Sequence, residues 1–475
     1  MKYLCTYSLL LFLLVCFQAS ATAKPVPQFK SGDRVCFIGD SITHGGSYHS
    51  NVYLYYLTRF PERKFRIWNK GISGNQASHV LQRFQTDIAS ESPTVSTLML
   101  GMNDVGRWLY GTDKTDPTSL KYQASQLKSY YTNMRAVVEK LEAIGSEVIF
   151  ITPSIYDQTA ELERANNFGT NDALAQCASF IDRTAAVRAE GYVDFYYPML
   201  EINTQLQRAD PKATIVGNDR VHPSWDPGHF VMAYQFLKAQ AVPKLVSKVV
   251  LDARYRKVLE VEQATVSQIQ SKRGSFTFTV LESALPFPQT ESISKGLALV
   301  PFEEEMNQQI LSIQSLPDGD YTLTIDSVKV GSWSAKALKK GINLASVETT
   351  PQFQQALSVK ALNDERAKQE GRLRSAALVY YGSGLYQSDV DLEDNEAVQA
   401  VLDARLETFK GEPWHGYMKQ QYRAYLPIKA EENDIHASLN SLQQKLYQAN
   451  QPVAHCYQIT RSKSGEGFGK PSKGD

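Results

Sequence analysis

The sequence predicts a three-layer α/β/α sandwich on a parallel sheet, followed by a small antiparallel β module and a helical C-terminal region. Between residues 33 and about 248, short apolar runs alternate with stretches of helical periodicity, which is typical of βαβ units. After residue 250 the pattern changes to short runs with partial alternation, as in antiparallel strands. From Pro351 onwards, long amphipathic stretches return.

Each element of the sandwich follows from this alternation. The predicted strands lie at 35–38, 65–68, 95–100, 147–152 and 192–197. The predicted helices lie at 51–60, 77–89, 120–143, 171–189 and 227–248. Strands separated by helices imply right-handed crossovers and therefore a parallel sheet with helices on both faces.

The second half of the chain contains two kinds of pattern. Four short strands are predicted at 275–280, 309–313, 321–325 and 329–333, with Leu316-Pro317-Asp318-Gly319 as a hairpin turn between two of them. Helices are predicted at 351–375, 394–410 and 431–449. The expected organisation is a signal peptide at 1–23, a catalytic domain at 24–250, a β-rich module at 251–347, a helical region at 348–462 and a disordered tail at 463–475.

The first residues have the pattern of a secretory signal. Lys2 precedes an apolar run from Leu9 to Phe17, and Ala21-Thr22-Ala23 is a small-x-small cleavage site. A membrane anchor is the alternative, but the run is shorter than the roughly 20 residues that a spanning helix needs. We therefore expect a secreted or periplasmic protein without an integral membrane segment.

Composition narrows the function classes. The chain has 475 residues, which suggests two or three domains, and its 50 basic residues equal its 50 acidic ones. A neutral chain has no basic surplus for a nucleic-acid backbone, so no nucleic-acid partner is expected. After signal cleavage Cys36, Cys177 and Cys456 would remain, enough for one disulfide at most, and no paired Cys/His spacing indicates a metal site. No cofactor is expected, and the oligomeric state is not determined by the sequence.

Four separated segments carry polar, small residues at the carboxyl ends of predicted strands or in loops on that edge. They are Gly39-Asp40-Ser41, the segment from Asn69 to Gly74, Gly101-Met102-Asn103-Asp104, and Asp219-Arg220-Val221-His222-Pro223. Parallel α/β sheets bind ligands at this edge, so one crevice should collect all four. For the first segment alone, a loop serine that only bonds the backbone is an equal alternative.

Acyl transfer is the chemistry that these residue types fit. Ser41 needs a base to act as a nucleophile, and His222 can supply it. Asp219 lies three residues before His222, near enough to fix the imidazole tautomer. The amides of Ser41 and Gly74 and the side-chain amide of Asn103 can form an oxyanion hole. Gly71 is the alternative to Gly74, but the offset from Asn69 favours Gly74 as the donor, and Gly71 suits the turn.

These residues resemble the four sequence blocks of the SGNH hydrolases, the GDSL-type esterases and lipases. The serine, glycine, asparagine and histidine blocks occur in order at Ser41, Gly74, Asn103 and His222, with Asp219 completing a triad. The resemblance covers about 33–248 and implies a flavodoxin-like sandwich and carboxylic ester hydrolysis. Met102 departs from it, because many members have glycine there, and loop 105–118 is longer than in compact members.

The sequence also predicts roles for five residues near these blocks. His44 is predicted to form a pocket wall, and Trp108 and Trp225 to contact substrate, with simple packing as the alternative for the two tryptophans. Asp40 and Asp104 should organise the backbone rather than react.

We expect a secreted serine esterase that removes small acyl groups, most of all acetyl, from a small-molecule or polysaccharide ester. One alternative is a glycan-binding or surface scaffold protein without turnover. The second is a lipase or aryl esterase of the same fold.

Overall fold

A five-stranded parallel sheet forms the centre of the first half of the protein. The computed structural model describes residues 25–272 and 274–462, so the predicted signal peptide and disordered tail lie outside the described residues. The strands are Arg34–Gly39 (β1), Arg66–Gly71 (β2), Val95–Met99 (β3), Glu147–Ile151 (β4) and Tyr192–Val193 (β5). Their order is β2-β1-β3-β4-β5, and every pairing is parallel. The predicted α/β fold class is confirmed.

Helices surround this sheet and bury its strands. They are Ser41–His44 (α1), Tyr48–Arg59 (α2), Ala77–Arg83 (α3), Pro117–Ala143 (α4), Thr170–Arg188 (α5), Tyr196–Ala209 (α6) and Gly228–Ala239 (α7). Helix α2 packs against α7, and α3 packs against α4. The chain reverses direction across the sheet between β1 and β3, and such switch points are where open α/β sheets bind ligands.

Two predicted elements of the sandwich were wrong in part. The fifth strand was expected at 192–197, but it ends at Val193 and α6 begins at Tyr196. The last helix was expected at 227–248, but it ends at Ala239 and a strand follows at Leu245–Asp252 (β6). Pro243, which lacks the amide hydrogen that a helix interior needs, lies between the two elements.

Two sheets and three short helices make up the β module. Its strands after β6 are Lys257–Glu262 (β7), Ala264–Lys272 (β8), Ser275–Glu282 (β9), Gln308–Gln314 (β10), Asp320–Ile325 (β11), Val328–Ser334 (β12) and Ile342–Asn343 (β13), and a C-terminal strand, His455–Arg461 (β14), joins them. The helices are Ser294–Leu297 (α8), Phe302–Met306 (α9) and Ala335–Lys340 (α10). One sheet, β12-β11-β14-β9-β8, is antiparallel; the other, β13-β10-β6-β7, is mixed.

The β module corrects three expectations. The turn at 316–319 does not close a hairpin, because β10 and β11 belong to different sheets. Strand β14 lies inside the range predicted to be helical and pairs with β9 and β11. Strand β6 crosses the boundary predicted at residue 250 and pairs with β10 and β7.

Four helices form most of the C-terminal region. They are Pro351–Gly382 (α11), Asn395–Glu407 (α12), His415–Ala430 (α13) and Glu432–Ala449 (α14). Helix α13 was not predicted, and α11 extends seven residues beyond the predicted end at 375. The sandwich core continues into this region, since Ala356 and Val359 of α11 and Leu446 of α14 are buried in it. None of the helices in the described ranges is both long and apolar enough to cross a bilayer.

Candidate active site

Ser41, His222 and Asp219 form one hydrogen-bonded chain, as the sequence spacing predicted. The Ser41 hydroxyl oxygen lies 2.8 Å from His222 Nε2. The other ring nitrogen, Nδ1, lies 2.5 Å from Asp219 Oδ2. The three groups therefore have the geometry in which a histidine takes a proton from serine while a carboxylate orients its ring. The structure thus brings together side chains from opposite ends of the sandwich sequence.

The turn after β1 fixes Ser41 at the edge of the sheet. Asp40 caps the short helix α1, because its carboxylate accepts a hydrogen bond from the Ile42 amide at 2.9 Å. Gly39 is required here, since a Cβ on this residue would lie 2.2 Å from Thr43 Oγ1. Burial raises the pKa of Asp40, whose carboxylate lies beneath the serine. Asp40 therefore organises the backbone, as expected.

A tight turn presents Asp219 and His222 on the same side. Between them Arg220 has a φ of +68°, in the left-handed region that few non-glycine residues adopt. Its buried guanidinium compensates by donating to four backbone carbonyls, those of Asp157, Ala160, Leu162 and Arg164. Arg220 was not singled out from the sequence, because an arginine in a loop gives no signal of such an anchoring role.

Hydrogen bonds within the turn hold Asp219 ionised. Burial alone would raise the pKa of Asp219, but the His222 ring and the amides of Val221 and His222 donate to its oxygens and lower the pKa well below its usual value. A carboxylate that stays ionised can stabilise the imidazolium that forms when His222 accepts a proton.

Gly74 and Asn103 lie beside Ser41 on the same cavity wall. Gly74 has a φ of +78° in a turn closed by the hydrogen bond from the Asn75 amide to the Ile72 carbonyl, 3.1 Å. Within the described residues the amides of Ser41 and Gly74 donate to no protein acceptor. Asn103 uses Nδ2 once, to the Asn75 carbonyl at 3.0 Å, which leaves its second hydrogen free. Three donors are therefore available for a developing oxyanion.

The predicted role of His44 as a pocket wall was wrong. His44 does not line the cavity; instead, its Nδ1 accepts a hydrogen bond from the Ser73 amide at 3.1 Å. Burial lowers the pKa of His44 to about 3, so its ring is neutral and can accept this bond. His44 therefore holds the turn that carries Gly74.

Two further side chains support the same turn. Asn69 donates to the carbonyls of Thr43 and His44 and accepts from the Gly71 amide, so it ties the turn to α1. Asp104 accepts from the Ala77 amide at 2.8 Å, which anchors the start of α3. Burial raises the pKa of Asp104 to about 7. Asp104 is thus the backbone organiser that the sequence predicted.

Helix α11 contributes buried charges behind this turn. Glu370 accepts a hydrogen bond from the Asn69 amide at 2.8 Å. Arg374 donates to both oxygens of Asp87, at 2.7 and 3.0 Å, and to the Gly71 carbonyl at 3.3 Å. The C-terminal region is therefore bonded directly to the segment that presents Gly74, a connection that no sequence motif indicated.

A cavity of about 970 Å³ opens above the serine. The sandwich contributes one wall, including Ser41, Gly74, Asn103 and His222. The C-terminal region contributes the other, with Tyr381, Tyr386, Arg405, Phe409, Trp414, Tyr417 and Met418. No sequence motif indicated this second wall, because only the fold brings these residues to the strand edge.

The two tryptophans predicted to contact substrate lie outside this cavity lining, and their contacts stay predictions. Trp108 and Trp225 are 65 % and 64 % exposed, and neither lines the cavity. Of the long loop 105–118, only Arg107 reaches it. Met102 is buried and uses its carbonyl to accept from Arg107 at 2.7 Å.

The described residues include three cysteines and several possible metal-binding side chains. Within residues 25–272 and 274–462, no group of three or more His, Cys, Asp or Glu residues is placed to hold a metal ion. Cys36, Cys177 and Cys456 are free thiols; the first two are buried and the third is exposed.

Comparisons with known proteins identify relatives of both halves of the chain. The model of the GDSL-like lipase/acylhydrolase family matches residues 37–227. The structure of a gut microbial diltiazem-metabolizing enzyme is 32% identical with a TM-score of 0.83, and the match covers 93% of this chain and 100% of that one. The acetylxylan esterase of Geobacillus stearothermophilus is 27% identical over 223 residues, 44% of this chain and 94% of its own. The first relative thus extends over the β module and the helices, and the second over the sandwich.

Proposed function

The chain belongs to the GDSL-like lipase/acylhydrolase family, and we propose that this carboxylic ester hydrolase removes small acyl groups, most of all acetyl, from carbohydrate. The proposed catalytic groups are Ser41, His222 and Asp219, with an oxyanion hole from the amides of Ser41 and Gly74 and the Asn103 side chain. The observation that carries the proposal is the hydrogen-bonded chain from the Ser41 hydroxyl through His222 to Asp219.

In the first half-reaction, Ser41 Oγ attacks the ester carbonyl carbon while His222 Nε2 takes the hydroxyl proton. The carbonyl oxygen becomes an oxyanion, which the three donors stabilise. Removal of one such donor typically costs about 10²–10³ in turnover. The tetrahedral intermediate then expels the alcohol, which receives the proton from His222, and leaves an acyl group on Ser41.

In the second half-reaction, His222 takes a proton from water, and the resulting hydroxide equivalent attacks the acyl-enzyme carbonyl. The second tetrahedral intermediate expels Ser41 Oγ, which recovers a proton from His222, and the carboxylic acid leaves. Ionised Asp219 stabilises the imidazolium in both steps. Each cycle consumes one ester and one water and restores the starting protonation of the triad.

Two observations support acetyl and carbohydrate as the substrate class. The relative from Geobacillus stearothermophilus that matches the sandwich is an acetylxylan esterase. The cavity presents aromatic faces from the C-terminal region and the amide side chains of Gln82 and Gln387, which suit the faces and hydroxyls of sugar rings. Secretion, which we also propose, is supported by the signal-like sequence at 1–23 and would give access to an extracellular polysaccharide.

Acetate release tests the proposal. Wild type, Ser41→Ala and Ser47→Ala are compared on acetylated xylo-oligosaccharides and 4-nitrophenyl acetate. Ser47 directly precedes α2, makes no side-chain capping bond and serves as the matched control. We expect Ser41→Ala to lose activity on both substrates and Ser47→Ala to keep it. Equal activity of Ser41→Ala and wild type would refute the nucleophile. No turnover by wild type on any ester would favour a non-catalytic glycan-binding protein.

The preferred length of the acyl chain distinguishes the proposed esterase from a lipase or an aryl esterase. On 4-nitrophenyl esters, a small-acyl esterase should hydrolyse acetate faster than octanoate. Faster turnover of octanoate would support a lipase, and activity confined to aryl acetates, without acetate release from the oligosaccharides, would support an aryl esterase.

A further inference from the structure

Cations but no carboxylates line the cavity above Ser41. Within the described part of the chain, its lining includes the side chains of Arg83, Arg107 and Arg405 but no aspartate or glutamate. The two histidines of the lining, His79 and His222, add no negative charge. The cavity therefore favours a ligand that brings an anion of its own, because unlike charges in a partly desolvated cleft attract.

Two of the three arginines are held on the sandwich side of the cavity by hydrogen bonds to the protein. Arg83 donates to Asn75, Asp87 and the Lys70 carbonyl. Arg107 donates to the Met102 carbonyl and to Asn103 Oδ1. Arg83 is thus bonded through all three of its nitrogens, and Arg107 is held through Nη1 beside Asn103. Both belong to the sandwich wall of the cavity, so neither lies on the wall that the C-terminal region forms.

Arg405 differs from both. Its guanidinium carbon lies 5.1 Å from the centre of the Phe409 ring. Arg405 belongs to α12, and Phe409 belongs to the segment that follows this helix. Among the described residues, its side chain forms no ion pair with a carboxylate, and the polar group beside it is the hydroxyl of Tyr422, which is neutral. Planar guanidinium groups pair with carboxylates and related oxyanions through two parallel hydrogen bonds. Arg405 is thus an available anion-binding group inside the cavity.

Aromatic side chains connect Arg405 to the reacting atoms. Tyr381 and Tyr386 lie with ring centres 5.3 Å apart, and Trp414 and Tyr417 are 50 % and 42 % exposed. The Tyr417 hydroxyl comes within 3.5 Å of Ser73 Oγ, one residue before Gly74. The cavity of about 970 Å³ is at the upper end of the roughly 300–1,000 Å³ typical of ligand sites, far more than an acetyl group fills. This wall is therefore suited to the alcohol part of the ester.

We propose that Arg405 and the aromatic side chains around it form the alcohol-side subsite, which selects esters whose alcohol carries a ring and an anionic substituent. An acetylated acidic sugar fits this description: its ring faces stack on the aromatic wall while its carboxylate pairs with Arg405. The inference rests on the proposed function, because it assigns the alcohol-side selectivity of the same site.

Two matched substrate pairs test it. The sugar pair is mono-O-acetylated methyl glucuronoside against mono-O-acetylated methyl glucoside, and the aryl pair is 4-acetoxybenzoate against 4-acetoxybenzamide. Wild type, Arg405→Gln, Arg405→Lys and Arg423→Gln are compared by kcat/KM. Arg423 is an exposed arginine of α13 that does not line the cavity, so its variant controls for general loss of surface charge.

For wild type we expect a preference of about tenfold for the anionic sugar, the size of one charge-assisted hydrogen bond. Arg405→Gln should abolish the preference while keeping turnover of the neutral sugar, Arg405→Lys should keep part of it, and Arg423→Gln should keep all of it. The preference should also shrink with added salt. A stronger preference within the aryl pair than within the sugar pair would identify an aromatic carboxylate as the ligand.

The inference is overturned if wild type shows no preference for either anion, or if Arg405→Gln retains it. Neither result touches the proposed function, which fails separately if Ser41→Ala hydrolyses the neutral sugar as fast as wild type. Melting temperatures of the variants establish that each is folded.

Discussion

The sandwich and the C-terminal helices place polar residues at one cavity by different physical means. In the sandwich, Ser41 and Asn103 follow buried strands at the sheet edge where parallel strands end together. In α11, by contrast, one helix stripe is apolar at both ends and polar in its middle. The buried members of the stripe are Phe353, Ala356, Val359, Asn363, Arg366, Glu370, Arg374 and Leu378.

The sandwich and the C-terminal helices therefore have different roles at the cavity. Strand ends bring reacting groups together without further help, whereas α11 braces the loop between them from behind through Glu370 and Arg374. We therefore expect changes in the sandwich to lower turnover and changes in the helices to alter stability or selectivity. Four predictions test this difference between the sandwich and the helices.

The largest effect is expected for Asp219→Asn. The amide cannot hold His222 in the tautomer that accepts the serine proton, so kcat should fall about 10⁴-fold. KM and the melting temperature should change little, because the Asp219 side chain is 44% exposed and makes no contribution to the core. Steady-state kinetics with 4-nitrophenyl acetate measure this, and a loss below tenfold would argue against Asp219 as the third member.

Arg374→Met should destabilise the protein by about 1.5–3 kcal/mol, because buried Asp87 loses its two hydrogen bonds from Arg374 but keeps its ion pairs with Arg83 and Lys70. The matched control is Arg372→Met on the same helix, whose ion pair with Glu431 is exposed to solvent and should be worth about 1 kcal/mol or less. Urea unfolding measures both. Equal losses for the two variants would mean that α11 does not brace the sandwich through this pair.

The buried His229 predicts a pH effect. Burial lowers its pKa to about 3, from an ordinary value of 6.5. Between these values the unfolded chain binds a proton that the folded protein does not, so the free energy of unfolding falls as the pH drops from 6.5 towards 3. His229→Gln removes this contribution.

The dependence on pH in this window should therefore be flatter for His229→Gln than for wild type, by up to about 1.4 kcal/mol per pH unit. Buried Asp104, with a pKa of about 7, acts in the opposite direction in both proteins and cancels in the comparison. Denaturation at pH 4, 5, 6 and 7 measures the difference. Parallel curves would show that His229 titrates normally.

The smallest effect concerns the tryptophans. Trp414→Ala should raise KM for an acetylated sugar about fivefold, since stacking on an aromatic face contributes on the order of 1 kcal/mol. Trp108→Ala and Trp225→Ala should leave KM unchanged, because neither side chain lines the cavity. A larger KM effect at Trp108 or Trp225 than at Trp414 would support the expectation from sequence.

The site residues that could be predicted from the sequence lie in the sandwich, and those that could not lie in the C-terminal helices. Ser41, Gly74 and Asn103 could be predicted because each follows a strand at the sheet edge that binds ligands. Asp219 and His222 could be predicted because their three-residue spacing in a loop suits a carboxylate and an imidazole that act together. Glu370 could not be, because charged residues on amphipathic helices usually face solvent, and only the packing of α11 against the sandwich reverses this. Arg405 stays exposed on α12, and only the fold brings it to the cavity.

The errors in the predicted fold also arise where local sequence patterns do not determine long-range packing. Pro243 marked the end of α7, yet the apolar run continued on both sides of it and was assigned to one helix. The turn at 316–319 has suitable residues for a hairpin, but local chemistry does not specify which strand each neighbour pairs with. The pairing of β14 between β9 and β11 joins residues far apart in the chain, which no local pattern could indicate.

The central claim, that the Ser41 oxygen carries the acyl group during turnover, can be tested by mass spectrometry. Enzyme mixed with excess 4-nitrophenyl acetate is quenched in acid during turnover and digested. The account predicts one acetyl group on the peptide that contains Ser41, and none on the same peptide of the Ser41→Ala variant. An acetyl group on another residue, or an unmodified Ser41 peptide while the enzyme accumulates an acetylated form, would contradict it.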